Sequence, residues 1–218
     1  MKMNSATDNA NDWATRLVAL AGTEKQEDGA HDIHHLHRVW KTAQILLQDH
    51  PHADALVVQA ACYLHDIVNL PKNHPQRAQA SRLAARRAGE MLHAAGFPAD
   101  RLPQVAHAIE AHSFSAAITP TTVEAQIVQD ADRLDALGAV GLARLFYTAG
   151  RMESALAHGT DPLAQQRVLD DRAYALDHIE AKLAKLPATM QTQAGRRLGE
   201  ERLAWLRQFR SVFVAEWR

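Results

Sequence analysis

Apolar residues recur along the chain at three- and four-residue intervals, and no stretch alternates Val, Ile, Thr and aromatics with polar residues as a half-buried strand would. Leu, Ala, Arg, Glu and Gln dominate, all favourable in helices, while Gly (10) and Pro (8) are scarce. The period predicts helices over about Asp12–Ala21, Ile33–Asp49, Ala53–Ile67, Gln76–Ala95, Asp100–His112, Val123–Leu137, Leu142–Thr148, Ala164–Leu186 and Ala188–Glu216. Between them lie the breakers: Gly22, Pro51, a Val68–Pro75 loop with two prolines, Gly96 with Pro98, a polar Ser113–Thr122 connection, and Gly159–Pro162. Gly138 and Gly141 allow a bend or a close approach after the sixth helix. No solenoid-type repeat is present. The expectation is an all-α fold: one compact bundle over residues 1–218, its core motifs at about 31–140 and two additional helices at about 160–216 packed on it.

Composition narrows the class. The 218 residues include 47% hydrophobic and 22% charged, the balance of a globular chain. Lys plus Arg (24) nearly cancel Asp plus Glu (25), giving a net charge of −1 and no general drive toward nucleic acid or acidic membranes. The paired arginines 86–87 and 196–197 read as solvated helix faces. A single cysteine, Cys62, excludes an intramolecular disulfide and fits a reducing compartment. The first residues lack a signal-peptide apolar core, and no apolar run approaches the roughly 18 residues of a membrane span. The expected location is cytoplasmic. Histidine is in surplus, 13 in all, eight of them within the first 74 residues.

Helical phase sorts part of that surplus. His35 lies in line with Val39, Ala43 and Leu46, whereas His34 and His37 sit over Arg38, Lys41, Gln44 and Gln48 and should face water. His65 and Asp66 end the very apolar third helix, where a buried carboxylate must be paired, hydrogen-bonded or metal-bound. The competing reading is a core histidine capped by its neighbour. The sixth helix adds Asp130, Asp132 and Asp135, which do not share one face. At least one therefore points inward, and periodicity does not say which. His107 reads as packing, and Tyr174, His178 and Lys182 would share one face of the eighth helix.

The segments His35-Leu36-His37-Arg38-Val39, His65-Asp66 and Ala131-Asp132-Arg133-Leu134 together resemble the H…HD…D pattern of the HD-domain metal-dependent phosphohydrolases. The similarity is greatest to the small bacterial stand-alone (YedJ-like) branch and extends to Cys62–Ile67, to Ala111-His112-Ser113-Phe114-Ser115 and into the last two helices. The resemblance implies an all-helical HD-domain bundle. It makes His35, His65, Asp66 and Asp132 the ligands of one divalent ion, and it selects Asp132 among the three aspartates. Such a mixed, non-thiolate set does not choose among Mn, Mg, Ni, Fe, Co and Zn.

The activity implied is hydrolysis of a small phosphate ester or anhydride, most naturally of a nucleotide, by metal-activated water. Asp66 and His112 are the catalytic candidates, with His112 assisting proton transfer. Lys72 and Arg77, on the loop and helix start after the HD pair, are the substrate-binding candidates for phosphate. The stretch Ile67–Pro75 contains no Asp or Glu, unlike several nucleotide hydrolases of the superfamily. That departure leaves a second expectation, a metal- and nucleotide-binding sensor with little turnover. The expected partner is a small phosphorylated molecule, with no nucleic acid and no membrane. The stripe Trp205, Phe209, Val212, Phe213 reads as core, and a homodimer through it is the alternative.

Overall fold

The computed structural model describes residues 5–23, 32–68, 76–113 and 116–217. Nine α-helices account for most of them: α1 (Ser5–Ala21), α2 (Ile33–Leu47), α3 (Ala55–Leu64), α4 (Ala80–Ala94), α5 (Leu102–His112), α6 (Val123–Asp135), α7 (Gly138–Arg151), α8 (Asp177–Ala181) and α9 (Gln193–Glu216). The fold is all-α. Among the described residues there is no strand, only an isolated bridge between Ala155 and Tyr174. Nor is any described helix long and apolar enough to cross a membrane. The residues group into two compact units, 1–132 and 133–218, so the division falls within α6.

In the first unit α3 is the central element. Asp54 caps it by accepting from the Leu56 and Val57 amides (3.0 and 3.3 Å), and every residue from Val57 to Leu64 is buried. A helix apolar on all sides requires neighbours all round. It receives them from α1, α2, α4 and α5. In α2 the buried stripe is His35, Leu36, Val39, Ala43 and Leu46, as its period predicts, with Asp32 as N-cap accepting from the His35 amide (3.0 Å). On α1, Trp13 is buried edge-on against Phe97 at 4.9 Å.

The second unit corrects the sequence reading. No helix spans Ala164–Leu186. Residues 164–176 follow an irregular path, α8 is only five residues long, and 3₁₀ turns occupy Leu183–Lys185 and Pro187–Thr189. Side chains outcompete the helical ladder for the backbone amides. Asp161 accepts from the Gln165 and Gln166 amides (both 2.9 Å), and Asp170 from those of Arg172 and Ala173 (both 3.1 Å). Buried Asp177 takes the Asp170 amide (2.8 Å) and a two-pronged contact from Arg167 (2.6 and 2.8 Å). Tyr174 therefore lies outside any helix, and the supposed Tyr174/His178/Lys182 stripe does not exist. The last helix starts at Gln193, after its cap Thr192, rather than at Ala188.

The two glycines after α6 behave as the sequence suggested. Gly138 has a positive φ of 75°, and a Cβ on Gly141 would lie 2.2 Å from the Ala136 carbonyl oxygen. On α9, Phe209 and Phe213 pack against Phe146, but Trp205 and Val212 are exposed, so the aromatic stripe is only partly core.

Removing one partner of the Arg167–Asp177 pair leaves a fully buried carboxylate. Arg167→Met should cost about 3 kcal/mol in urea unfolding, the low end for such a loss because Arg167 keeps some contact with water. A change below about 0.5 kcal/mol would place the pair among exposed, weakly stabilising ones.

Candidate metal centre

Four helices of the first unit deliver side chains to one point, and each does so near an end. His35 is the third residue of α2 and has no solvent exposure. His65 closes α3. Its amide still donates to Ala61 (2.9 Å), and its Nδ1 donates to the Cys62 carbonyl (3.0 Å), which turns Nε2 away from the helix. Asp66 follows directly. His112 is the last residue of α5, its Nδ1 donating to the Ile109 carbonyl (2.6 Å) and Nε2 again free to face the cluster. Asp132 comes from α6. Fixing one imidazole nitrogen on a carbonyl so that the other can act is the arrangement of metal-ligating histidines.

The spacing fits an ion. His35 Nε2 is 3.3 Å from His65 Nε2, 3.7 Å from Asp66 Oδ2 and 3.5 Å from Asp132 Oδ1. His65 Nε2 is 3.4 Å from Asp66 Oδ2 and 3.6 Å from Asp132 Oδ1. Bonds of about 2.1 Å to a central ion separate adjacent ligands by about 3.0 Å in an octahedron and about 3.4 Å in a tetrahedron. Two overlapping groups of donor atoms, His35/His65/Asp132 and His65/Asp66/His112, each lie within 4.8 Å of one another. Asp66 bridges them: Oδ2 faces the imidazoles of His35 and His65, and Oδ1 lies 3.7 Å from His112 Nε2. The cluster can hold a divalent cation.

Its electrostatics point the same way. Burial alone would raise the Asp66 and Asp132 carboxyls, but the neighbouring histidines, His65 foremost, hold both well below the usual carboxylate range. Burial would depress His65, yet Asp66 and Asp132 outweigh it and hold this imidazole well above its ordinary value. Burial and the adjacent charge on His65 lower His112, which is therefore neutral at pH 7. Without a metal, the His65 proton supplies the positive charge that the two carboxylates require. The C-terminal ends of α3 and α5 add partial negative charge at the same place. Cys62 takes no part: burial, then Asp132, push its thiol far up, so it stays protonated.

The other sequence candidates separate. His34 and His37 are exposed, and His37 Nδ1 is 3.0 Å from the Tyr63 hydroxyl. Asp135 is paired with Arg144 (2.6 Å), and Asp130 is buried outside the cluster. His107 lies within α5, and its Nε2 accepts from the Thr121 amide (3.0 Å). Lys72 lies outside the described residues, and of Arg77 only the backbone is described, in the turn Arg77–Gln79. One residue escaped the sequence reading. Buried Gln129 donates from Nε2 to the Ala111 carbonyl (2.7 Å), joining α6 three residues before Asp132 to α5 one residue before His112. Its only signal was an amide among apolar neighbours.

Residues 32–137, from the cap of α2 to just beyond α6, match the family model of the HD domain. Over 187 residues the chain is 33% identical to YpgQ of Bacillus subtilis strain 168, an uncharacterized protein, covering 84% of this chain and 82% of YpgQ. The crystal structure of YpgQ in complex with ADP aligns at a TM-score of 0.70 and 26% identity over 94% of this chain and 95% of that one. A Bacillus thuringiensis HD-superfamily hydrolase aligns at 0.72 and 27% identity, over 95% of this chain and 97% of its own. With the helices that build the cluster inside the matched region and relatives aligned over most of its length, the chain belongs to the HD-domain superfamily, alongside the stand-alone bacterial protein YpgQ.

Proposed function

We propose that His35, His65, Asp66 and Asp132 hold one divalent ion and that the protein hydrolyses a phosphate ester or anhydride of a small molecule, most naturally a nucleotide. One observation carries this reading: two imidazoles and two carboxylates meet at ligand spacing, His35 from the start of α2, His65 and Asp66 from the end of α3, and Asp132 from α6. Kinship with HD-superfamily hydrolases supports the reaction class, and the ADP complex of YpgQ supports a nucleotide as ligand.

An ion held there supplies positive charge for a phosphoryl oxygen and acidifies water near neutral pH. The chain's own groups do the rest. Neutral His112, its ring fixed by the Ile109 carbonyl, takes a proton at Nε2 from the attacking water and returns it to the leaving oxygen. Asp66 orients that exchange through Oδ1. Lys72 and Arg77, on the chain leaving the HD pair, neutralise the substrate phosphates. With no carboxylate in Ile67–Pro75, His112 is the general base of this scheme.

The test is phosphate release by metal-reconstituted protein against a panel of nucleotides and phosphate esters. Asp66→Ala and Asp132→Ala should each lower release at least about 100-fold, and chelation should abolish it. Release that survives both chelation and Asp66→Ala rejects the reading. Nucleotide binding without release across Mn²⁺, Mg²⁺, Co²⁺ and Ni²⁺ would favour the sensor instead.

A pH dependence follows from His65. Its folded pKa is raised, so its stabilising contribution is complete below the unfolded value near 6.5 and fades as pH rises through the folded value. The ion must displace that proton. Apparent Mn²⁺ affinity should therefore climb about 10-fold per pH unit below the folded pKa, with about one proton released per ion, and level off above it. Calorimetry in buffers of different ionisation enthalpy checks this, and pH-independent affinity would remove His65 from the ligand set.

A further inference from the structure

At the end of the first unit remote from the metal centre, one residue joins three helices. Asp54 caps α3 through Oδ1, accepting from the Leu56 and Val57 amides. Its Oδ2 accepts from Arg101 Nε at 2.6 Å, and Arg101 immediately precedes α5. Its own amide donates to Glu124 Oε1 at 2.9 Å, and Glu124 lies in the first turn of α6. The three elements tied here are the ones that carry His65 and Asp66, His112, and Asp132. Each presents its N-terminal end to this hub and its functional residues toward the other end.

We propose that Asp54, Arg101 and Glu124 form a positioning hub that sets the ligand geometry of the metal centre from a distance, an inference that rests on the metal reading above. Leverage is the physical reason. From Asp54 to His65 is 11 residues, about 16 Å of helix, and from Glu124 to Asp132 is eight residues, about 12 Å. A tilt of about 5° at the hub would displace a ligand at the end of α3 by about 1.4 Å. Metal–ligand distances tolerate only about 0.2 Å. Helices are stiff, so orienting them at their N-termini orients the ligands.

The hub is also matched in charge. Two carboxylates sit at the α3 N-terminus, where the helix dipole favours them, and the guanidinium of Arg101 offsets their mutual repulsion. Glu124 is the most informative link, because its α6 carries a single proposed ligand and the bond crosses directly to α3.

The test uses the full chain and the metal alone: Mn²⁺ affinity by calorimetry, the visible absorption of bound Co²⁺, and the thermal midpoint. Glu124→Ala and Asp54→Ala should each weaken Mn²⁺ about 10-fold and alter the Co²⁺ spectrum. Glu124→Gln, which keeps an oxygen acceptor, should restore both. Trp13→Phe, a core change in the same unit, should lower the midpoint without moving either metal readout. If Glu124→Ala does not fold, Glu124→Asp, one methylene shorter, gives the same reading. Wild-type uptake of Mn²⁺ with unaltered affinity in Glu124→Ala or Glu124→Asp overturns the hub alone, as does a loss no greater than that in Trp13→Phe. A wild-type protein that takes up neither Mn²⁺ nor Co²⁺ overturns the metal reading and the hub with it.

Discussion

Two part-buried carboxylates facing two fully buried imidazoles set the terms for the first unit. Asp66 and Asp132 approach the same pair of rings at 3.4–3.7 Å, in part-buried surroundings where an uncompensated negative charge is costly. A cation must share that space, a proton on His65 or a metal ion. A proton on His65 serves one ring, whereas a divalent ion held as proposed would engage both rings and both carboxylates together. The orientation of each helix follows from bringing these four groups to one place and holding them there against their mutual repulsion.

Helix ends are well suited to that task. His65 and His112 close α3 and α5, so each ring reaches back to a carbonyl three residues earlier that has little competing demand at a helix terminus. The same hydrogen bond that satisfies the carbonyl selects the tautomer, with Nε2 presented to the centre. A histidine in mid-helix would lack such a carbonyl, and its ring orientation would depend on packing alone. His35 achieves the equivalent at the start of α2, where Asp32 anchors its amide and the side chain enters the core on the first turn.

How much of this was legible in the sequence depended on whether the controlling interactions were local. The phase of His35 against Val39, Ala43 and Leu46 is a property of one helix, and it separated a buried histidine from exposed His34 and His37. The caps Asp32 and Asp54 stand where apolar periodicity begins. The choice among Asp130, Asp132 and Asp135 was not local: Asp135 is occupied by Arg144, nine residues on, and Asp132 is defined by rings from α2 and α3. Only the family resemblance singled it out. The eighth helix failed for a related reason. Its composition favours a helix, but Asp161, Asp170 and Asp177 bind the amides that a helix would use, and Ala164 adopts a positive φ of 52°. Propensity sums over residues and does not register which carboxylate finds which amide.

The same distinction bears on how an HD-type site can change chemistry while its fold persists. The proposed ligands are fixed by helix phase, helix termini and hydrogen bonds such as Gln129 to Ala111, all of which resist local substitution because they also hold the core together. The candidate phosphate contacts, Lys72 and Arg77, instead follow Asp66 in the sequence and lie outside α3. On the proposed reading, metal retention and substrate choice would fall to different stretches of sequence, the helices that carry the cluster and the segment after Asp66. That segment, Ile67–Pro75, contains no Asp or Glu, so on the same reading proton transfer would fall to His112, at the end of α5.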